Sequence, residues 1–206
     1  MRQDQVPREF ALIALTGIFS ASLIAANLLG SRLVMVGPVS LSMGFFVFPF
    51  TFLTADIVTE LFGKETALRV VKTGILLQIY VVLFVLLGFA LPTSPFRDTE
   101  GAYHAMFGLT PRMVLASIVA YSFSQWADVK IFSALRKKTG NWLILRANLA
   151  AWSSQFLDTV LFSAIFLGGV LPFNAWIKSM LFAYFTKITI ATFDSPFVRL
   201  GVRFFG

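Results

Sequence analysis

The chain has 206 residues, of which 57% are hydrophobic, and its mean hydropathy is +0.81. Only 13% of the residues are charged, against about 25% in soluble domains, so the composition predicts an integral membrane protein. No cysteine and a single histidine exclude disulfides, thiolate metal sites and a histidine-rich metal site. The net charge of +7 would suit a nucleic acid, but the basic residues cluster between apolar runs, as membrane topology requires. We therefore expect no nucleic-acid partner and no cofactor.

The first apolar run, Arg8–Leu29, is long enough to cross a bilayer. Gly17, Ala21 and Ala25 are four residues apart and form one stripe of small side chains on a helix. Such a stripe indicates close packing of helices within the chain, or a contact in a homodimer or with a partner subunit. Asn27, near the end of this run, either bonds to a neighbouring helix or touches a ligand.

A short loop over 30–42 leads to a second predicted span, over 43–62, which contains two carboxylates in an apolar setting. Asp56 and Glu60 are four residues apart and share one face of a helix. A carboxylate near the bilayer centre costs about 2.5–3.5 kcal/mol, so this face must contact protein, water or a ligand. Pro49 frees a backbone carbonyl, and we expect helix two to be interrupted near it, as in the broken helices of transporters.

Four more spans follow in chain order, and a loop with a short interfacial helix over 102–107 separates the first two of them. These spans cover about 68–91, 112–135, 147–170 and 173–200. Most lysines and arginines lie at the termini and in the second and fourth loops, which places both termini in the cytoplasm. The sequence thus predicts an all-α, polytopic membrane protein with six transmembrane helices in a single domain, residues 1–206.

The fourth and fifth spans share the pattern Ser-Gln-x-x-Asp, at 124–128 and again at 154–158. The glutamine and aspartate of each copy are three residues apart and lie on one helical face. Internal repeats with polar residues near the bilayer midplane are typical of transporters. A purely structural alternative pairs the membrane acids with Lys130, Lys187 or Arg146.

The polar residues of the spans are suited to hydrogen bonding with a small molecule. Those that point most strongly to a binding site are Asp56, Glu60, Gln125, Asp128, Gln155 and Asp158. A carboxylate accepts two parallel N–H bonds from a flat, guanine-like edge, and a glutamine amide serves a carbonyl or ring nitrogen. Trp126 or Trp152 would stack on the ring. These groups suit either a planar heterocycle rich in donors or a small organic cation.

The sequence resembles the bacterial queuosine precursor transporters, a family earlier described as putative vitamin uptake transporters (VUT). The resemblance runs from about Asn27 to Pro196 and rests on several separate motifs. They are Phe48-Pro49, Thr54-Ala55-Asp56-Ile57-Val58-Thr59-Glu60, Gly63-Lys64, Pro111-Arg112 with Ala116-Ser117, both Ser-Gln-x-x-Asp segments, Arg146 with Asn148, and Lys187 before Asp194-Ser195-Pro196. Phe62 and Ala150-Ala151 depart from the family pattern of Tyr and Ser-Thr.

The resemblance implies uptake of 7-cyano-7-deazaguanine and/or 7-aminomethyl-7-deazaguanine, for tRNA queuosine modification, across the bacterial inner membrane. The acids and glutamines above would bind and orient the base, and Lys187 or Asn148 would meet its carbonyl or balance charge. Asn27 completes the expected substrate-binding set.

Three other functions are alternatives to uptake by the chain alone. The chain has no phosphate-binding Gly-x-x-x-x-Gly-Lys-Ser/Thr loop and hydrolyses no ATP itself, but it would fit a substrate-binding subunit of a vitamin importer energised by separate ATPases. An intramembrane enzyme that uses paired carboxylates lacks a cysteine, a membrane histidine or a metal motif. A membrane assembly protein that transports nothing leaves the buried acids unexplained.

Overall fold

A computed structural model describes the backbone of residues 7–139, 143–193 and 195–205. Within these ranges it describes all side chains except those of residues 125, 128, 129, 132–139, 143–148, 150, 151, 191–193, 195 and 196. The predicted site residues Gln125, Asp128 and Asn148 therefore lie outside the described side chains.

The described chain is mostly helical. Its elements are α1 (Arg8–Leu29), β1 (Leu33–Val36), β2 (Val39–Ser42), α2 (Gly44–Phe62), α3 (Lys64–Ala90), α4 (Glu100–Phe107), α5 (Thr110–Thr139), α6 (Leu143–Leu167), α7 (Phe173–Phe193) and α8 (Ser195–Phe205). Two compact units emerge: helices α1, α2, α3, α4 and α8 belong to the first, and residues 35–41 of the hairpin, α5 from Arg112, α6, and α7 up to Thr189 belong to the second.

Among the described residues, four helical stretches are long and apolar enough to cross a membrane. They are Arg8–Leu29, Gly44–Phe62, Lys64–Ala90 and Glu100–Ser124, and a shorter apolar helix covers Trp152–Leu167. This arrangement confirms a polytopic, mostly helical membrane protein.

The core of the first unit forms where α1, α2 and α3 pack together. Phe19 of α1, Val58 of α2 and Val70 of α3 belong to one buried cluster. Gly74 lets α1 and α3 approach closely, because a Cβ at this position would lie 2.7 Å from the Phe19 ring. Gln78, which is 2% exposed, donates from Nε2 to the backbone oxygen of Leu23 at 3.0 Å. That buried hydrogen bond ties α3 to α1.

The expected interruption of helix two is wrong, because α2 runs without a break from Gly44 to Phe62 with Pro49 inside it. Pro49 is near the amino-terminal end of α2, and its missing N–H deprives a single carbonyl of its helical donor. Such losses are tolerated in apolar helices because neighbouring groups satisfy the freed oxygen. The hydroxyls of Thr51 and Thr54 donate to backbone oxygens of the same helix, Thr51 to Phe48 at 2.6 Å.

The segment expected to be a loop over 30–42 contains a β-hairpin instead. Strands β1 and β2 pair across a turn at Gly37-Pro38. Gly37 has φ of +57°, a left-handed conformation that glycine adopts without the steric cost of a side chain. In the sequence, this hairpin corresponds to two short runs of β-branched and aliphatic residues on either side of a Gly-Pro turn.

The short helix expected in the loop after α3 is confirmed as α4, which packs back on the end of α3. Tyr103 of α4 donates its hydroxyl to the backbone oxygen of Val85 at 3.1 Å, and its ring meets Phe89 with centroids 4.9 Å apart. Gly88 is required beneath it, because a Cβ there would collide with the Tyr103 hydroxyl. The contact fixes the carboxyl end of α3.

The last predicted span is divided into two helices. Helix α7 ends at Phe193, and α8 begins at Ser195. Pro196 has no N–H to continue the α7 ladder, but it fits the first turn of a new helix, where that donor is not needed. Helix α8 packs against α2, with Gly201 seated on the side chain of Ile57.

Candidate functional site

An ion pair joins α6 and α7 within the second unit. Lys187 Nζ lies 2.8 Å from Asp158 Oδ2, and the two side chains are 13% and 18% exposed. Burying either charge alone in this apolar environment would be costly, and the partner offsets that cost. Of the three basic residues expected to pair with the membrane acids, Lys187 forms this pair, while the side chain of Arg146 lies outside the described residues.

Gln155 lies one helical turn before Asp158, on the same face of α6. Its side-chain oxygen Oε1 is buried and has no hydrogen-bond partner among the described residues. Its backbone oxygen accepts a hydrogen bond from the Thr159 hydroxyl at 2.8 Å. A buried amide oxygen without a donor is an uncommon and unfavourable arrangement, which a ligand N–H would relieve.

Aromatic contacts hold α6 and α7 together beside the ion pair. Tyr184 of α7 donates its hydroxyl to the backbone oxygen of Trp152 at 3.2 Å. Its ring also meets Phe156 edge to face, with centroids 5.3 Å apart. These contacts hold the backbones that carry Asp158 and Lys187 in register. The Trp152 ring, expected as a stacking surface, is 46% exposed.

Arg112, at the start of α5, ties this helix to the end of α6. Its Nε donates to the backbone oxygen of Ile165 at 2.6 Å, and Nη2 donates to that of Gly168. A guanidinium that binds the last carbonyls of a helix also interacts favourably with the helix dipole. The sequence shows Arg112 only as part of the Pro111-Arg112 motif and predicts no role for its side chain. A lone arginine next to Pro111 carries no signal for the carbonyls it will meet.

The two Ser-Gln-x-x-Asp segments present matching faces. Ser124 and Ser154 are buried, at 7% and 8% exposure, while Trp126 and Phe156 are exposed. The repeated pattern therefore turns the same edge of α5 and α6 inward in both copies. The side chains of Gln125 and Asp128 in the first copy lie outside the described set.

In the first unit, Asp56 and Glu60 occupy one face of α2, and both are exposed. Asp56 takes part in a polar or electrostatic interaction. Between them along the helix, the Thr59 hydroxyl donates to the Ala55 backbone oxygen at 2.8 Å. The expected shared face is thus present.

Asn27 is buried at 3% exposure, and its Nδ2 donates to the Leu23 backbone oxygen of its own helix at 2.9 Å. Gln78 donates to the same oxygen, so this carbonyl receives two donors. The Asn27 hydrogen bond lies within α1 itself, so it decides for neither of the two interpretations of Asn27, a bond to a neighbouring helix or a contact with a ligand.

Phe62, where relatives are expected to carry tyrosine, has a cation as its neighbour. The Arg8 guanidinium lies 5.8 Å from the centre of the Phe62 ring, within range of a cation–π interaction. Arg8 also donates to the backbone oxygen of Leu61 at 3.1 Å. The arginine thus caps the end of α2 through both contacts.

The small-residue stripe of α1 does not serve packing within the described chain as a whole. Gly17 and Ala21 are exposed, and a Cβ at Gly17 would meet no atom within 4 Å. Ala25 is half-buried. The first two positions of the stripe therefore face outward from the chain.

The structure thus pairs Asp158 with Lys187 in the second unit, with Gln155 one turn away on the same face of α6, and Asp56 and Glu60 share one face of α2 in the first. Together with the apolar helices that carry it, this charged pair fits the class of polytopic membrane proteins.

Comparison with known proteins identifies the family. The protein family described as "putative vitamin uptake transporter" matches residues 42–201, and the chain belongs to this family. It is 28% identical over 177 residues to a "probable queuosine precursor transporter" of Bacillus subtilis (strain 168), covering 84% of this chain and 77% of the relative. A protein of the same name from Haemophilus influenzae (strain ATCC 51907 / DSM 11121 / KW20 / Rd) is 30% identical over 151 residues, covering 71% of this chain and 62% of the relative. No solved structure matches the chain. The family is one of transporters, and the chain is not an enzyme.

Proposed function

We propose that this protein imports queuosine precursors, 7-cyano-7-deazaguanine and/or 7-aminomethyl-7-deazaguanine, for tRNA modification. The relatives named as queuosine precursor transporters support this proposal. The observation that carries it in the structure is the cluster of Gln155, Asp158 and Lys187, with its buried and unsatisfied amide oxygen.

The acceptors of this cluster suit the edge of a guanine-like base. Lys187 binds Oδ2 of Asp158, which leaves Oδ1 to accept an N–H from a ligand. Gln155 Oε1 is a second acceptor, already stripped of water and without a donor among the described residues. A 7-deazaguanine presents adjacent ring and exocyclic N–H groups, which would satisfy both oxygens.

Charge balance at this ion pair favours the neutral base 7-cyano-7-deazaguanine over a small organic cation, a class that includes the protonated 7-aminomethyl base. Lys187 neutralises Asp158, so these two side chains carry no net charge together. An organic cation would have to displace the lysine or add an unbalanced positive charge to an apolar environment, at considerable cost. A neutral base would use the free acceptors without disturbing the pair.

The other expected site residues stay proposals. Asp56 and Glu60 would offer acceptors on α2, and Gln125, Asp128 and Asn148 would extend the set on α5 and α6. Asn27 would act indirectly, by stabilising the backbone of α1 through its hydrogen bond to Leu23. Access would alternate through rocking of helices around the bound base, as in other transporters.

The proposed location is the bacterial inner membrane, with six spans and both termini in the cytoplasm. The bias of lysine and arginine toward one set of loops supports this orientation. A homodimer is included in the proposal because the exposed Gly17 and Ala21 offer a surface for close helix contact.

Rescue of tRNA queuosine in a cell that requires an external precursor tests the function. The parent chain should restore queuosine when the base is supplied, while Gln155→Leu and Asp158→Asn should restore less than a tenth as much. Lys178→Gln is the matched control, because Lys178 is an exposed cation on the same helix as Lys187. Full rescue by both site variants, at equal protein level in the membrane, would contradict the site assignment.

A second candidate is a substrate-binding subunit of a vitamin importer energised by separate ATPases. The exposed Gly17 and Ala21 favour it, because they would provide a docking face for a partner subunit. Co-purification with ATPase subunits that is lost in Gly17→Leu would support this candidate, and uptake by the purified chain alone would exclude it.

A further inference from the structure

Helix α8 combines three distinct surfaces in 11 residues. One surface packs on the membrane-crossing helix α2 through Val198, Val202 and Phe205, together with Gly201 against Ile57. Among the residues that the structure describes, the side chains of the other two surfaces are exposed. With a rise of about 1.5 Å per residue, the helix is roughly 16 Å long, too short to cross a hydrocarbon core of about 30 Å.

The second surface is an apolar stripe that stays exposed. Phe197, Leu200 and Phe204 are spaced three and four residues apart, so they share one face. Their exposures are 62%, 66% and 69%. Since α8 rests against a transmembrane helix, the medium next to this stripe is the acyl region of the bilayer.

The third surface carries two arginines. Arg199 and Arg203 are four residues apart, so they lie one above the other, between the α2 contact and the apolar stripe. Both are exposed, and among the described residues neither forms an ion pair or a hydrogen bond. Helix α8 contains no acidic residue to balance them.

We propose that α8 is an interfacial helix that binds the phosphate headgroup of an anionic lipid through Arg199 and Arg203. Helices with an apolar face and a basic face lie in the plane of the interface, with the apolar face in the acyl boundary. Guanidinium groups bind phosphate oxygens through paired N–H donors. A lipid, rather than free phosphate, is the ligand because it also provides acyl chains for Phe197, Leu200 and Phe204.

Lipid titration of the purified full-length protein in a neutral detergent tests this site. Retention of phosphatidylglycerol and of phosphatidylcholine with the same acyl chains would be followed by native mass spectrometry. Each basic side chain near an anionic surface contributes about 1 kcal/mol, so R199Q/R203Q should bind phosphatidylglycerol roughly 20- to 30-fold more weakly. R199K/R203K, which keeps the charge, should lose less than about threefold.

R32Q/R97Q is the matched control, because it removes the same charge from exposed positions outside α8 and should bind like the parent. Equal phosphatidylglycerol binding by R199Q/R203Q and the parent would overturn the proposal, as would equal binding of the two lipids by the parent. Displacement of the lipid by inorganic phosphate at matched concentration would also overturn it, since the site would then be one for a free anion. The readout does not involve transport, so its outcome is independent of the proposed substrate.

Discussion

The acids of the two units are accommodated in different ways. On α2, Glu60 shares an exposed face with Asp56. On α6, Asp158 is 18% exposed and is held by Lys187 at 2.8 Å. An acid with a neighbouring counter-ion is part of the internal structure of its unit, whereas an exposed acid depends on whatever lies next to the helix. Carboxylates that look alike in the sequence are therefore expected to contribute unequally to the free energy of unfolding.

The largest effect is expected when the ion pair is broken on one side only. Lys187→Met or Asp158→Asn leaves its partner partly buried without a counter-charge and should destabilise the protein by about 3 kcal/mol. For a chain of this size that corresponds to a fall of roughly 6–12 °C in the thermal midpoint in detergent. The double variant D158N/K187M should recover most of that loss in stability.

The double variant also separates structure from function. It should regain the thermal midpoint but still fail to take up the base, because asparagine replaces the charged carboxylate and has only one acceptor oxygen instead of two. If D158N/K187M regains both stability and uptake, the pair only holds α6 to α7.

The next effect is expected at Arg112, whose guanidinium binds backbone oxygens and, among the described residues, forms no ion pair with an acid. Arg112→Ala deprives the backbone oxygens of Ile165 and Gly168 of their donors and should cost about 2 kcal/mol. Arg112→Lys should recover part of this loss, because one amine replaces the guanidinium fork. Thermal unfolding of both variants measures the difference, and an unchanged midpoint for Arg112→Ala would refute the capping role.

A smaller effect of opposite sign is expected at Gln155. Gln155→Leu removes the unsatisfied Oε1 from the buried face of α6 and should stabilise the protein by about 1 kcal/mol. Uptake should fall at the same time, since a ligand acceptor is lost. A variant that is less stable than the parent would show that Oε1 already has a partner and is not kept open for a ligand.

The smallest effect on stability is expected at Glu60. Glu60→Gln keeps the shape of an exposed side chain and should change the free energy of unfolding by less than about 0.5 kcal/mol. A fall of the thermal midpoint as large as that of Asp158→Asn would remove the distinction between the two units.

Much of the helical architecture could be predicted from hydropathy. Arg8–Leu29 was predicted with the bounds that α1 has, and the short helix α4 was expected within its loop. The hairpin around Gly37 was missed because strands of four residues leave too weak a periodic pattern to outweigh the adjacent proline. The division into α7 and α8 was missed because apolar residues continue on both sides of Pro196.

The candidate site could be predicted only in part. The spacing of Gln155 and Asp158 on one face follows from helix geometry alone, and Lys187 was among the expected partners. The pairing of Lys187 with Asp158 depends on the register between α6 and α7, to which the packing of Tyr184 on Phe156 contributes. No pattern within either helix encodes that register.

Uptake by the purified chain in liposomes that contain neither ATPase nor ATP is the most direct test of the central claim. Radiolabelled 7-cyano-7-deazaguanine should enter until its concentration inside at least equals that outside. Gln155→Leu should reduce the initial rate of uptake at least tenfold. Guanine and vitamins at equal concentration should compete weakly. Absence of uptake by the parent chain in sealed liposomes, or an unchanged rate in Gln155→Leu, would contradict the account.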